Sequence, residues 1–225
     1  MKFKVIMGAS ATNRLMARYL RQLDAAAIPH QVYPIDVKFP SDGTVKFGLD
    51  LWRRIAEDNG NYDRLVLTDA WDVLCYASKE HIEHTLSQFP DTVVFAAERN
   101  CHPEPDLAPS IPDRGPWRFV NGGMLTASPK ALLEWCDSVR RHEQYVADMI
   151  GQQWFNRRLA EHDPLIEIDW ETRLFYCMYR EEGELVVADG APVNSIYGTT
   201  PAFIHFNGSW PHEATVEMLE GAVAK

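Results

Sequence analysis

Three short segments hold the residues best suited to chemistry. The first reads Leu65-Val66-Leu67-Thr68-Asp69-Ala70-Trp71-Asp72-Val73, an apolar run that ends in two carboxylates three residues apart. If the chain turns after Asp69, both acids converge at the carboxyl end of a strand, where open α/β sheets bind their ligands. Two hard oxygen ligands suit Mg2+ or Mn2+, ions that also take phosphate oxygens. An isolated D-x-x-D equally describes a solvated turn with an aspartate at a helix N-cap. Trp71, between the acids, is placed either to stack on a base at the mouth of such a site or to pack the turn.

The second segment is Phe119-Val120-Asn121-Gly122-Gly123-Met124. A glycine pair entering a strand permits close backbone approach to a ligand, or simply a bulge or turn. Asn121 offers a donor and an acceptor to sugar hydroxyls. The third, Phe203-Ile204-His205-Phe206-Asn207-Gly208, ends an apolar run with a histidine and an Asn-Gly pair. Imidazole is a suitable third ligand for Mn2+, and the amides of Asn207 and Gly208 can hold a phosphate. A satisfied core histidine is the plainer reading, and seven other histidines are present.

These segments need a scaffold that brings strand ends together. Short β-rich runs alternate with amphipathic stretches, the pattern of an α/β domain. Strands are expected over Lys4–Met7, Gln31–Ile35, Arg64–Thr68, Thr92–Ala97, Gly123–Ala127, Ile166–Asp169, Glu184–Ala188 and Ala202–Phe206. Helices are expected over Ala11–Ala26, Leu49–Asp58, Lys79–Gln88, Pro129–Val146 and Met149–Glu161, with helical spacing again from Glu213 to Ala224. Ser78 and Ser128 stand where N-caps belong. Two proline-bearing stretches, Pro34–Thr44 and Asn100–Trp117, read as loops. The run Thr172–Tyr179 and Glu184–Ala188 is expected to form a hairpin around the polar segment between them.

At 225 residues the chain is expected to form one domain, 1–225, around one substantial core. The formal charge of −10 argues against nucleic acid as a partner, since such binders present a basic face. No run of about 18 apolar residues exists, so no membrane span is expected. The opening Met1–Met7 is too short for a signal peptide's apolar region. The four cysteines, Cys75, Cys101, Cys136 and Cys177, stand singly. Together these features favour a cytoplasmic location, with buried free thiols at Cys75 and Cys177.

Taken in order, the segments resemble the glycosyltransferase domain of the procollagen lysyl hydroxylase and collagen glycosyltransferase group. The likeness runs from roughly residue 3 to 210. It is carried by Val5-Ile6-Met7-Gly8-Ala9-Ser10, by Thr68-Asp69-Ala70-Trp71-Asp72-Val73, and by Val93-Val94-Phe95-Ala96-Ala97-Glu98 with Cys101-His102-Pro103. It continues through Asn121-Gly122-Gly123, contracted relative to the family's N-x-G-G, and His205-Phe206-Asn207-Gly208. The resemblance implies a GT-A-like (Rossmann-like) α/β/α sandwich with a central mixed sheet. It implies a metal-dependent hexosyltransferase using a UDP-sugar, UDP-glucose or UDP-galactose, with Mn2+ as cofactor and Mg2+ as its substitute. By position, Asp69, Asp72 and His205 would ligate the ion, and Asp69, Asp72 and Gln153 would be catalytic. Gly8, Ser10 and Trp71 would face the uridine. Lys46 would help hold the donor, Asn121, Gly122 and Gly123 would line it, and Asn207 and Gly208 would meet the pyrophosphate.

The chain departs from that family in two places. The family's acidic run before its glutamine is replaced by Ile150-Gly151-Gln152, and the lysine after His-x-Asn-Gly is absent from Ser209-Trp210-Pro211-His212. Nothing matches the hydroxylase domain, so the acceptor is left open; Asp148, Glu98 and Asp169 are the candidate bases. Rival readings are a two-carboxylate metal hydrolase, a sugar-phosphate nucleotidyltransferase, and a degenerate nucleotide-sugar-binding protein. The nucleotidyltransferase needs a basic, glycine-rich N-terminal loop, and Gly8–Arg14 supplies one glycine and one arginine. The absent acidic run supports the degenerate binder; an intact Asp69, Asp72 and His205 set argues against it.

Overall fold

Near-continuous apolar runs belong to strands covered on both faces, and β1 (Phe3–Ala9) begins the chain as one. The computed structural model describes residues 1–35, 45–142, 149–208 and 213–223. After β1 come α1 (Arg14–Ala25), β2 (His30–Pro34), α2 (Val45–Asp58), β3 (Arg64–Thr68), β4 (Val73–Cys75) and α3 (Lys79–Ser87). Then follow β5 (Val93–Glu98), a 3-10 turn at Pro105–Ser110, β6 (Phe119–Ala127), α4 (Pro129–Arg141) and α5 (Gly151–Ala160). The chain continues through β7 (Ile166–Asp169), β8 (Phe175–Cys177), β9 (Leu185–Ala188), β10 (Ala191–Asn194), β11 (Phe203–His205) and α6 (Glu213–Val223).

The central sheet has six strands in the order β2-β1-β3-β6-β5-β7. β6 runs antiparallel to both its neighbours while the other pairings are parallel, so the sheet is mixed. Directly paired residues share a face. Leu67, Leu125 and Phe95 therefore point to one side, and Thr68 and Met124 to the other. On the first side Phe95 stacks on Phe155 of α5 with centroids 4.9 Å apart, and Trp135 of α4 and Trp52 of α2 close the cluster. On the second side Tyr19 of α1 bonds Thr68 at 3.1 Å. Helices thus cover both faces, and the sandwich expected from the sequence is the one observed.

A second sheet, β4-β11-β8, sits beyond the carboxyl end of β3. β11 pairs antiparallel with β4 and parallel with β8. The hairpin expected between 172–179 and 184–188 does not form. β9 pairs instead with β10 across Asp189-Gly190, whose φ values of 51° and 77° are what a tight two-residue turn needs. β4 and β10 were not foreseen; three or four residues are too few to show a period. β6 starts at Phe119 rather than at Gly123 because a bulge, described below, hides its alternation.

The helix starts follow their caps. Ser78 accepts from His81 N at 3.2 Å, and Ser128 accepts from Ala131 N at 3.0 Å. Replacing Ser128 with alanine is expected to cost about 1 kcal/mol, read as a small fall in denaturation midpoint with an unchanged denaturant slope. Asn13 caps α1 through Met16 N at 2.7 Å. All four cysteines are free and buried, and burial pushes the Cys75 and Cys136 thiols up to about 12. No helix among the described residues is long and apolar enough to cross a membrane. The stretch 36–44, the helix end expected over 143–146, Asp148 and Ser209–His212 lie outside the described residues.

Candidate metal and donor site

Asp69 is the first residue beyond β3 and Asp72 the last before β4, so both acids sit on the turn that carries the chain between the two sheets. Two backbone bonds fix that turn. Asp69 N donates to Gly123 O at 2.7 Å, and Phe206 N donates to Asp72 O at 2.8 Å. The second bond draws the end of β11 onto the turn. His205 Nε2 then lies 3.4 Å from Asp69 Oδ2 and 3.3 Å from Asp72 Oδ1. All three ligand atoms fall within 4.8 Å of one another. His205, more than 130 positions further along the sequence, thus joins the acid pair at one sheet end.

The hydrogen bonds around His205 determine which ring nitrogen faces the acids. Gly123 N can only donate, and it donates to Asn121 Oδ1 at 3.0 Å. The Asn121 amide is oriented by that bond, with Nδ2 donating to Glu98 Oε2 at 3.0 Å. His205 Nδ1 stands 3.1 Å from the same Oδ1 and must therefore carry the proton. In the neutral ring the Nε2 lone pair is aimed between two carboxylates, the form in which it can ligate a cation. That donor set, two hard oxygens and one imidazole with its far N–H held, fits a divalent cation such as Mn2+ or Mg2+.

The charges respond as such a cluster must. Burial opposes a charge on His205, but Asp72, Asp69 and Glu98 together hold its pKa above the usual value. Burial also opposes ionisation of Asp72, yet His205 outweighs it and lowers that pKa. Asp69 is pushed up to about 6, by desolvation first and Asp72 second, against the pull of His205. Its side chain still leaves 56% of its surface open, so solvent screening keeps the effect on stability small.

Gly123 is needed for this convergence. Between Phe95↔Leu125 and Ala96↔Asn121 the β5–β6 register jumps, so residues 122–124 bulge away from β5 while Met124 stays paired with Thr68 of β3. The bulge brings the Gly123 backbone against the acid turn. A Cβ there would collide with Asp69 Oδ2 and lie 2.5 Å from His205 Cε1. Gly122 faces Phe155 and Gln152 more loosely, its N–H reaching Gln152 Oε1 at 3.4 Å.

Glu98, at the end of β5, gathers the segments behind the metal cluster. Only 3% exposed, it accepts from Asn121, from Asn207 at 2.6 Å, and from Gln152 Nε2. Burial pushes its carboxyl up, against four neighbours that favour the charged form. The sequence signal was a lone acid closing an otherwise apolar strand. Gln153, the expected catalytic glutamine, turns instead to Glu104. Successive helical residues point about 100° apart, so one of the pair reaches the site, and it is Gln152. Removing the Asn121 amide, as in Asn121→Ala, is expected to weaken Mn2+ binding about 10- to 100-fold. Calorimetric titration reads this directly; unchanged affinity would mean that packing alone orients His205.

The remaining expected residues fall as follows. Trp71 is half-buried; its indole N–H donates to Ala11 O at 2.8 Å, and Asn13 Nδ2 donates to Trp71 O at 3.2 Å. These bonds clamp the acid turn to the loop after β1, which holds exposed Ser10. Gly8 lies under Ile35 and Leu51, where an added Cβ would meet both at 3.3 Å. Lys46 is exposed on the first turn of α2 and pairs with Asp50 at 2.8 Å. Asn207 is held at both ends of its amide, Oδ1 accepting from Tyr179 N at 3.1 Å, while Gly208 adopts a φ of 69°. Asp169 is no base: buried, it accepts from the backbone N–H groups of Arg173, Leu174 and Phe175.

Comparison with known proteins bears on the family and the fold. A family model described as "PLOD GT domain" matches residues 2–221. An uncharacterized protein, R699, of Acanthamoeba polyphaga mimivirus is 24% identical over 161 residues, covering 70% of this chain and 33% of that protein. The chain therefore spans about a third of that relative's length. Among solved structures, a glycosyltransferase involved in glycosylation of the major capsid of PBCV-1 superposes with a TM-score of 0.59 at 10% identity, covering all of both chains. The galactosyltransferase LgtC, in complex with donor and acceptor sugar analogs, superposes with a TM-score of 0.54 at 14% identity, covering 98% of this chain and 94% of its own. At such identities these likenesses establish the fold, GT-A-like with a mixed central sheet.

Proposed function

The chain belongs to the PLOD GT domain family, and on that premise we propose that it transfers a hexosyl group from a UDP-sugar to an acceptor hydroxyl. The observation that carries this reading is His205, whose Nε2 is aimed at Asp69 and Asp72 by the Asn121 bond. Those three side chains would hold Mn2+, or Mg2+ in its place. When bound, such an ion supplies Lewis-acid stabilisation of the charge that develops on a leaving nucleoside diphosphate.

The other residues orient the donor. Asn207 and Gly208 present backbone amides to the pyrophosphate, Gly208 in a left-handed conformation that turns the chain there. Trp71, Gly8 and Ser10 border the uridine, and Lys46, on the first turn of α2, helps hold the donor. Asn121, Gly122 and Gly123 line the sugar. Glu98 accepts three side-chain donors at once, so its task is to hold Asn121, Gln152 and Asn207 in place. The galactosyltransferase with donor and acceptor sugar analogs supports UDP-galactose beside UDP-glucose as donors to be tried.

The reading is tested by UDP release from each of these sugars with Mn2+ and with EDTA. Slow, metal-dependent release without added acceptor is expected, because water can take the acceptor's place. Binding without release from any donor would instead identify a nucleotide-sugar-binding protein.

A further inference from the structure

We infer that Arg180 is the protein's own cation for the donor diphosphate. The inference rests on the proposed function and adds to it a residue that neither the acid turn nor the histidine strand contains. A nucleoside diphosphate carries more negative charge than one divalent ion cancels, and Asp69 and Asp72 add to the excess. Sites that stabilise a departing diphosphate meet such charge with lysine or arginine beside the metal.

The path from the metal cluster to Arg180 is short and continuous. β8 and β11 run parallel with Cys177 opposite His205, and Met178 N donates to His205 O at 2.9 Å. Beyond the strands the two segments stay side by side. Tyr179 N donates to Asn207 Oδ1 at 3.1 Å. The Tyr179 ring lies so close to Gly208 that an added Cβ would stand 2.5 Å from Cδ2. The Arg180 guanidinium sits over that same ring, 5.5 Å from its centroid. Arg180 is exposed, and its guanidinium lies on the same ring that Gly208 packs against.

Two further observations bear on Arg180. It is the third residue of a turn closed by Glu181 N donating to Met178 O at 3.0 Å, and its φ is 61°. Glycine is the residue that position favours. Its charge also stays available. Glu181 Oε1 accepts from Gly183 N and Leu185 N, and Glu184 pairs with Arg99 at 2.8 Å. Arg180 makes no ion pair among the described residues.

Three variants, Arg180→Gly, Arg180→Gln and Arg180→Lys, separate charge from structure. Each is titrated with UDP and with uridine in Mn2+, and its thermal midpoint is measured. Arg180→Gly and Arg180→Gln are expected to weaken UDP binding about 10- to 100-fold while uridine binding stays within twofold. Arg180→Lys should keep most of the affinity. The midpoint of Arg180→Gly should equal or exceed that of the wild type, because the left-handed turn then carries glycine. UDP affinity within twofold of wild type in Arg180→Gln would overturn the inference and leave the donor site standing. Failure of the wild type to bind UDP with Mn2+ would overturn both.

Discussion

Asp69→Ala or Asp72→Ala is expected to abolish Mn2+-dependent UDP binding, a loss of at least about 100-fold, without unfolding the protein. Each removes one of three ligands from a cluster whose remaining members cannot re-form it, since His205 is buried and fixed by Asn121. Each carboxylate also acts on His205 directly. Without Asp72 the ring loses the partner that does most to hold its pKa up. For Asp69 the sign of the stability effect can be worked out. A carboxyl raised to about 6 binds its proton more tightly folded than unfolded, so its ionisation opposes folding as pH rises from about 4 through about 6. Asp69 is largely open to solvent, so the effect is small: without metal, the Asp69→Ala protein should melt close to wild type at about pH 7 and at about pH 4 alike. A cooperative melt with normal UDP affinity in either variant would remove the ion from the site.

Gly123→Ala is expected to have the second large effect, through sterics alone. The added methyl falls against Asp69 Oδ2 and His205 Cε1, so two of three ligands must move to admit it. Backbone retreat is blocked, because Gly123 O holds Asp69 N and Gly123 N is held by Asn121. Mn2+ affinity should fall about 100-fold or more, with a stability cost of about 1–3 kcal/mol. Gly122→Ala is the control. Its Cβ meets Phe155 at an ordinary 3.6 Å, and it should keep most of the metal affinity.

The contrast between these two glycines shows where sequence reading stops. The acid pair, the glycine pair and the histidine were legible because each closes a local apolar run, and strand ends converge in an α/β sheet. Which glycine abuts the Asp69, Asp72 and His205 cluster depends on the bulge over 122–124, and a bulge leaves no trace in apolar alternation. The choice between Gln152 and Gln153 is a matter of helical phase, set by where α5 begins at Gly151. Glu98 was visible only as one candidate base among several; its three partners come from β6, α5 and the end of β11 and meet only in three dimensions. Arg180 gave no signal in sequence, since a positive φ at a non-glycine residue cannot be read from composition.

The central claim is that Asp69, Asp72 and His205 hold a divalent ion that in turn holds a nucleoside diphosphate. Calorimetric titration of the purified protein with UDP, in Mn2+ and then in EDTA, tests it most directly. The account predicts saturable binding in Mn2+ that EDTA abolishes. Absence of UDP binding in both conditions, or equal binding in both, would contradict it.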